Sequence, residues 1–163
     1  MFRRVVIKLL VGWSIGPTVG FMPFSEARAQ NPHDYALYQA TVMAQTKITE
    51  AAVAKSDDAL SSVFTRALLE IHLYKQKYNI SDEIAKNPCQ RSYEELAVSA
   101  GYLSSYINPN RQLSGPNDRG GDGREADKWW ASHKEAQAEC ERLLKLPQSK
   151  PVGPDRLTSI VPR

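Results

Sequence analysis

Two cysteines constrain the fold of this chain more than any other feature of the sequence. Cys89 and Cys140 each lie on an apolar stripe with helical spacing, in steps of three and four residues. The first stripe ends at Ile107, about 27 Å beyond Cys89, and the second begins near Arg124, about 24 Å before Cys140. Antiparallel packing of the two helices would bring the thiols level at the end away from the 108–123 connection. We therefore predict a Cys89–Cys140 disulfide, with free thiols for redox or metal chemistry as the alternative.

Helical spacing recurs in two further stretches upstream of these cysteines. Asn31-Pro32 and Asn87-Pro88 are good helix starts, since asparagine caps a helix and proline suits its first position. Ser56 begins another helix, which Asn79 ends. Four amphipathic helices predict an all-α, antiparallel bundle of about four helices. The upstream stripes consist of Leu37, Ala40, Ala44, Ile48 and Ala51 in the first helix and of Leu60, Phe64, Ala67, Ile71, Tyr74 and Tyr78 in the second.

Two segments are too rich in glycine and proline for regular structure. Residues 108–123 are predicted to form a long loop, and the fourth helix is expected from about Arg124 to Leu146. Prolines recur through residues 147–163, which we interpret as a flexible, disordered C-terminal tail. The helical domain is accordingly placed at residues 30–146.

Residues 1–29 have the pattern of a cleavable signal peptide. A basic start precedes an apolar run at residues 9–24, and a small-x-small sequence at 27–29 suits cleavage before Gln30. Glycines and prolines interrupt the apolar run, which argues against its alternative role as a membrane anchor. The basic residues are Arg3, Arg4 and Lys8, and they leave both the general secretory and the twin-arginine route open.

Export predicts a periplasmic or secreted protein, and an oxidising compartment suits the disulfide. The net charge of the chain is +3, and residues 1–29 contain four basic groups and one acidic group, so the remainder is neutral. A neutral body lacks the positive field that nucleic-acid binding requires. We expect no nucleic-acid partner and no stable membrane insertion after cleavage.

The fourth helix carries the candidate binding residues Trp129, Trp130 and His133. His133 shares the predicted apolar face with Trp129, whereas Trp130 is expected to project towards the flank. All three can be interpreted as core residues or as a site for a partner or ligand. Haem ligation by His133 and Met43 is one such possibility, but the C-x-x-C-H signature is absent.

The acidic residues near the glycine-rich loop do not have the spacing of a calcium loop. They are explained as turn residues and as first-turn acids of the fourth helix, namely Asp118, Asp122, Glu125 and Asp127. No metal or cofactor is predicted. Nucleophile-elbow, P-loop, H-E-x-x-H and G-x-G-x-x-G patterns are also absent.

The leading functional hypothesis is a non-catalytic exported helical protein that binds another exported or envelope protein. Inhibitor, immunity and secretion-accessory roles are all compatible with it. The alternative is a periplasmic bundle that binds a small ligand or cofactor near His133 and Trp129, and a small hydrolase is the third hypothesis. Enzymatic activity is left open, with the absence of catalytic motifs arguing against it.

Overall fold

The computed structural model describes residues 32–78, 87–111, 113, 120–147 and 153–162. Within these residues the protein is helical and contains no strand, so the predicted all-α bundle is confirmed. Four α-helices form it: α1 is Pro32–Val53, α2 is Asp57–Tyr78, α3 is Pro88–Ile107 and α4 is Gly121–Leu143.

Helix α3 is the central element of the bundle. It packs against α1, α2 and α4, most extensively against α4. Twelve of its 20 residues are buried, whereas only three of the 22 residues of α2 are. Helix α2 is therefore peripheral, and most of its surface faces outward.

Helix α3 begins where the sequence predicts it to begin. The side-chain oxygen of Asn87 accepts hydrogen bonds from the backbone N–H groups of Cys89, at 2.8 Å, and Gln90, at 3.3 Å. Asn87 thereby satisfies two of the helix donors that lack an intrahelical partner. The equivalent Asn31, as well as the Asn79 helix stop, lies outside the described residues.

The predicted disulfide is present and sets the register of α3 against α4. The Sγ atoms of Cys89 and Cys140 are 2.02 Å apart, with a Cα–Cα distance of 4.7 Å. An ion pair of 2.6 Å between Arg91 and Glu139 matches the same antiparallel register. Both cysteines lie in the core, as their places on the apolar stripes predict.

Helix α4 begins earlier than predicted, at Gly121 rather than near Arg124. An ideal Cβ placed on Gly123 would lie 2.9 Å from Cδ2 of Tyr106, so a side chain would not fit there without movement of that ring. The glycine that looks like a loop residue in the sequence therefore permits close packing of α4 on the end of α3.

Helix α4 also ends earlier than predicted, at Leu143 rather than Leu146. Lys145 has a φ of 53°, a left-handed conformation that follows a helix end. The predicted 108–123 loop is shortened by the early start of α4. Its residues 109–111 form a short 3-10 turn, while residues 112 and 114–119 lie outside the described part of the chain.

The C-terminal segment, residues 153–162, differs from the flexible tail predicted for residues 147–163. This segment packs against α1 and α4, with Leu157 fully buried. Ile160 and Val161 also pack against the core. These three apolar side chains supply buried area that a count of prolines does not reveal. Residues 148–152 and 163 lie outside the described residues.

Asp127 of α4 holds the 3-10 turn Leu157–Ile160 in place. Its carboxylate accepts hydrogen bonds from the backbone N–H of Thr158 at 3.0 Å and from the Thr158 hydroxyl at 2.6 Å. It also pairs with Arg156 at 3.0 Å. The acid predicted as a first-turn residue of α4 is thus an anchor for the C-terminal segment.

The predicted signal peptide, residues 1–29, lies outside the described residues. Among the helices that are described, none is long and apolar enough to cross a membrane.

Candidate functional site

His133 lies fully buried at the centre of the bundle. Its Nδ1 is 2.9 Å from the backbone oxygen of Ser92, and its Nε2 is 2.8 Å from Nε2 of Gln45. A carbonyl oxygen only accepts, so we assign the proton to Nδ1 and let Nε2 accept from the Gln45 amide. Burial lowers the pKa of His133 to about 4, and the imidazole is therefore neutral near pH 7.

A buried hydrogen-bond network extends from His133 and joins three helices. The Gln45 amide also donates to Oε1 of Gln137 at 2.7 Å, which links α1 to α4. Oε1 of Gln45 is buried without a hydrogen-bond partner within the described residues. Because both ring nitrogens of His133 are engaged by protein groups, neither is free to bind a metal or a haem iron. Met43, considered as a second haem ligand, is 62% exposed on α1 rather than in the core.

The structure reverses the predicted placement of the two tryptophans. Trp130 is fully buried, with its ring centroid 5.4 Å from that of His133, whereas Trp129 is half-buried. The prediction that Trp129 lies in the core and Trp130 on the flank is therefore wrong. Helix α4 is covered by α3 on one side and by residues 153–162 on another, which shifts its buried face towards Trp130. The Trp130 indole N–H donates to the Pro154 carbonyl at 2.8 Å.

Trp129 remains a candidate contact residue on the surface. The Lys128 ammonium lies 5.6 Å from the centroid of its ring, within the range of a cation–π contact. Its indole nitrogen is buried and has no hydrogen-bond partner among the described residues. The structure thus brings Trp130 and His133 together in the core and leaves Trp129 at the border between the buried and the exposed face of α4.

The acidic residues near the start of α4 have structural partners. Asp122 accepts a hydrogen bond from the backbone N–H of Leu113 at 3.2 Å, and Glu125 pairs with Lys128 at 3.2 Å. Asp118 lies outside the described residues. In the described part of the chain, no group of three or more histidine, cysteine or acidic side chains has a geometry that could hold a metal ion.

Three leucines of α2 form an exposed apolar surface that the sequence interpretation missed. Leu68, Leu69 and Leu73, here called the leucine strip, are 43%, 57% and 53% exposed. None of them belongs to the apolar stripe that packs on α3. The sequence did contain a signal for this surface. The three leucines lie outside the predicted apolar stripe of α2, at positions where a surface helix ordinarily carries polar residues.

Two shallow depressions adjoin the leucine strip. Leu68 lines a depression of about 330 Å³ that lies over the seam between α2 and α3. Its rim includes an ion pair of 3.0 Å between Lys75 and Glu94. Leu69 lines a second depression, of about 440 Å³, with Arg66 and Arg111 on its rim. Charged side chains thus border both depressions beside the strip.

A groove of about 570 Å³ lies between α1 and α2 and is here called the α1–α2 groove. Tyr93 of α3 lies at its base, where the tyrosine hydroxyl donates to the carboxylate of Glu70. Glu70 also pairs with Arg66 at 2.7 Å. Burial and the bond to Glu70 raise the pKa of Tyr93, which keeps the phenol protonated. Small apolar residues line most of the remainder, including Ala40, Ala44, Ala51, Ala54, Ala59 and Val63.

Comparison of the chain with family models, with curated proteins and with solved structures finds no match in any of the three.

Proposed function

We propose that this chain is an exported, non-catalytic helical protein that acts by binding another exported or envelope protein. The leucine strip of α2 is its contact surface. Inhibitor, immunity and secretion-accessory proteins all act in this manner, and the proposal covers these three roles.

The exposure of the leucine strip is the observation that carries this proposal. Complete burial of a leucine side chain is worth about 1.5–3 kcal/mol, and each of these three is about half exposed. Covering all three would therefore contribute roughly 3 kcal/mol to binding, or more than a hundredfold in affinity. Exposed apolar side chains that charged groups surround are typical of protein contact sites.

The surroundings of the strip fit a protein partner with polar groups at its edge. Lys75, Glu94, Arg66 and Arg111 border the two depressions and carry charges of both signs. Such mixed charges orient a partner and surround an apolar centre without requiring a strongly charged ligand.

The disulfide and the N-terminal sequence support the exported location. Disulfides persist in oxidising compartments and are rare in reducing ones. The pattern of residues 1–29 is that of a signal peptide, and we propose that the mature protein begins at Gln30. Intact-mass measurement of protein recovered from its host tests this start, and a mass that still includes Arg3 and Arg4 would contradict it.

Binding through the leucine strip is tested by site-specific photo-crosslinking followed by affinity measurement. A photoreactive amino acid at Leu69 or Leu73 should capture the partner, whereas the same group at Leu143 should not. Leu143 is a matched control, since it is a leucine on α4 with 48% exposure.

The captured protein is then purified, and its affinity for the mature chain is measured by calorimetry. The double change Leu69→Asp and Leu73→Asp should weaken binding by at least tenfold, while Leu143→Asp should leave it unchanged. Equal affinity of the double variant and the wild type would refute the proposed surface.

A further inference from the structure

Helix α1 has different neighbours on its two sides. On the side of α4, the C-terminal segment 153–162 packs against both helices and covers the core. On the side of α2, the α1–α2 groove remains open. The C-terminal segment therefore covers α1 on one side, whereas nothing within the described residues covers it on the side of α2.

An extended peptide is a poor occupant of the α1–α2 groove. On the side of α4, the polar groups of the C-terminal segment have specific partners: the Pro154 carbonyl accepts from Trp130 and Lys134, and Thr158 N–H donates to Asp127. The floor of the α1–α2 groove is lined by alanines and other small side chains, and three of its polar residues, Arg66, Glu70 and Tyr93, already bond to one another. An occupant must satisfy its own backbone there, and an α-helix does so.

The α1 residues along the rim of the groove are self-complementary: they would match the same residues of a second α1 that runs in the opposite direction. Met43, Lys47, Glu50 and Ala54 follow each other in steps of four, three and four residues, and all four line the groove. If a second α1 lies antiparallel across the first, Lys47 faces Glu50 of the other copy, and Glu50 faces Lys47. The large, 62% exposed Met43 faces the small Ala54 of the other copy at both ends.

We propose that a second copy of this chain occupies the α1–α2 groove, forming an antiparallel two-fold dimer through α1. Lys47 and Glu50 are both exposed, and neither makes a close ion pair with any other residue that the structure describes, although the Lys47 charge contributes to lowering the pKa of Glu70. The dimer supplies each with an opposite charge, and it covers both copies of Met43. A two-fold interface requires this kind of self-complementary surface.

The area available matches a stable but dissociable dimer. Helices α1 and α2 have 22 residues each, which corresponds to a length of about 33 Å. Two adjacent helices are about 20 Å wide, so the face measures roughly 650 Å² per copy. A typical specific interface buries about 800 Å² per partner, and the alanine-lined floor permits close approach of the second helix. We therefore expect a monomer–dimer equilibrium that depends on concentration.

Charge reversal at the two rim positions tests the pairing directly, by sedimentation equilibrium of the mature, disulfide-bonded protein. The wild type should show a dimer that dissociates on dilution. Lys47→Glu places two acidic residues opposite each other twice per dimer, and Glu50→Lys does the same with two basic residues. Each single variant should therefore be monomeric at concentrations where the wild type is dimeric. Lys145→Glu, outside the groove, is the control for a change of charge alone.

Two combinations then distinguish the proposed register from a general loss of association. The double variant Lys47→Glu with Glu50→Lys exchanges the charges and should dimerise like the wild type. An equimolar mixture of the two single variants should form a heterodimer, visible by native mass spectrometry, because the two acidic rim positions of one variant then face the two basic rim positions of the other. A wild type that stays monomeric throughout, or a mixture that fails to associate while the wild type does, would overturn the proposal.

The two proposals can be tested separately, because Lys47 and Glu50 line only the groove, whereas Leu69 and Leu73 lie outside it. Arg66, which borders both surfaces, is left unchanged. A monomeric Lys47→Glu variant should still be crosslinked to the partner from Leu69. The Leu73→Asp variant should still dimerise. Loss of one behaviour without the other therefore identifies which proposal has failed.

Discussion

Acidification should destabilise this protein through His133 before most carboxylates are protonated. The buried imidazole has its pKa lowered from 6.5 to about 4, chiefly by burial, with the neighbouring Lys134 charge adding to the effect. Between these values the unfolded chain binds a proton at this residue that the folded protein does not bind. The free energy of unfolding therefore keeps the full contribution of His133 above about pH 6.5 and decreases as the pH falls towards 4.

The magnitude follows from the size of the shift. One pKa unit corresponds to about 1.4 kcal/mol, so a shift of about 2.5 units corresponds to roughly 3 kcal/mol. Most of this, roughly 2.5 kcal/mol, is lost by about pH 4.5. A loss of this size is a substantial part of the stability of a typical small domain.

Other groups titrate in the same range, so the measurement needs a matched variant. Burial raises the pKa values of Asp34 and Glu95, and these carboxyls favour the folded state as the pH falls. His133→Gln keeps an amide that can donate to the Ser92 carbonyl and accept from Gln45, but it does not titrate. Urea unfolding of both proteins at a series of pH values isolates the His133 contribution.

The stability of the wild type should fall relative to His133→Gln by about 1.4 kcal/mol per pH unit below about pH 6. Parallel loss of stability in the two proteins would refute the assignment of a neutral, buried imidazole. Independently of the variant, the nitrogen chemical shifts of His133 in the wild type should still be those of a neutral ring at about pH 5.5.

Three further perturbations test the C-terminal segment and the disulfide. Leu157→Ala should lower the free energy of unfolding by roughly 3 kcal/mol in urea titrations, because the side chain is fully buried. Pro162→Ala, at an exposed position, is its control, and equal effects of the two would show that the segment does not pack as described. Gly153→Ala should cost about 1–3 kcal/mol, since Gly153 has a φ of 97° and a Cβ there would lie 2.8 Å from the Trp130 ring. Joint replacement of Cys89 and Cys140 by alanine should lower stability by about 4 kcal/mol for a separation of 51 residues, with helical circular dichroism retained at room temperature. A melting temperature that is unchanged by reductant would contradict this last expectation.

The sequence by itself was sufficient for the helices and for the disulfide. Helical spacing and capping depend on residues within a few positions of each other, so the starts at Asn87 and Ser56 are local properties. The pairing of Cys89 with Cys140 can be predicted from the lengths of two helices and from the assumption that the chain reverses direction between them. Features that depend on spacing along the chain can therefore be read from the chain.

Only the tertiary structure decided which flank of each helix is covered. Trp129 and Trp130 are adjacent in sequence, and the C-terminal segment determines that Trp130 is the buried one. The same applies to Leu157, whose burial depends on a surface built from α1 and α4. Leu69 and Leu73 remain exposed because α2 packs at the edge of the bundle rather than at its centre. Burial is a property of neighbours distant in sequence, and a helical stripe specifies the direction of the apolar face but not its width or what covers it.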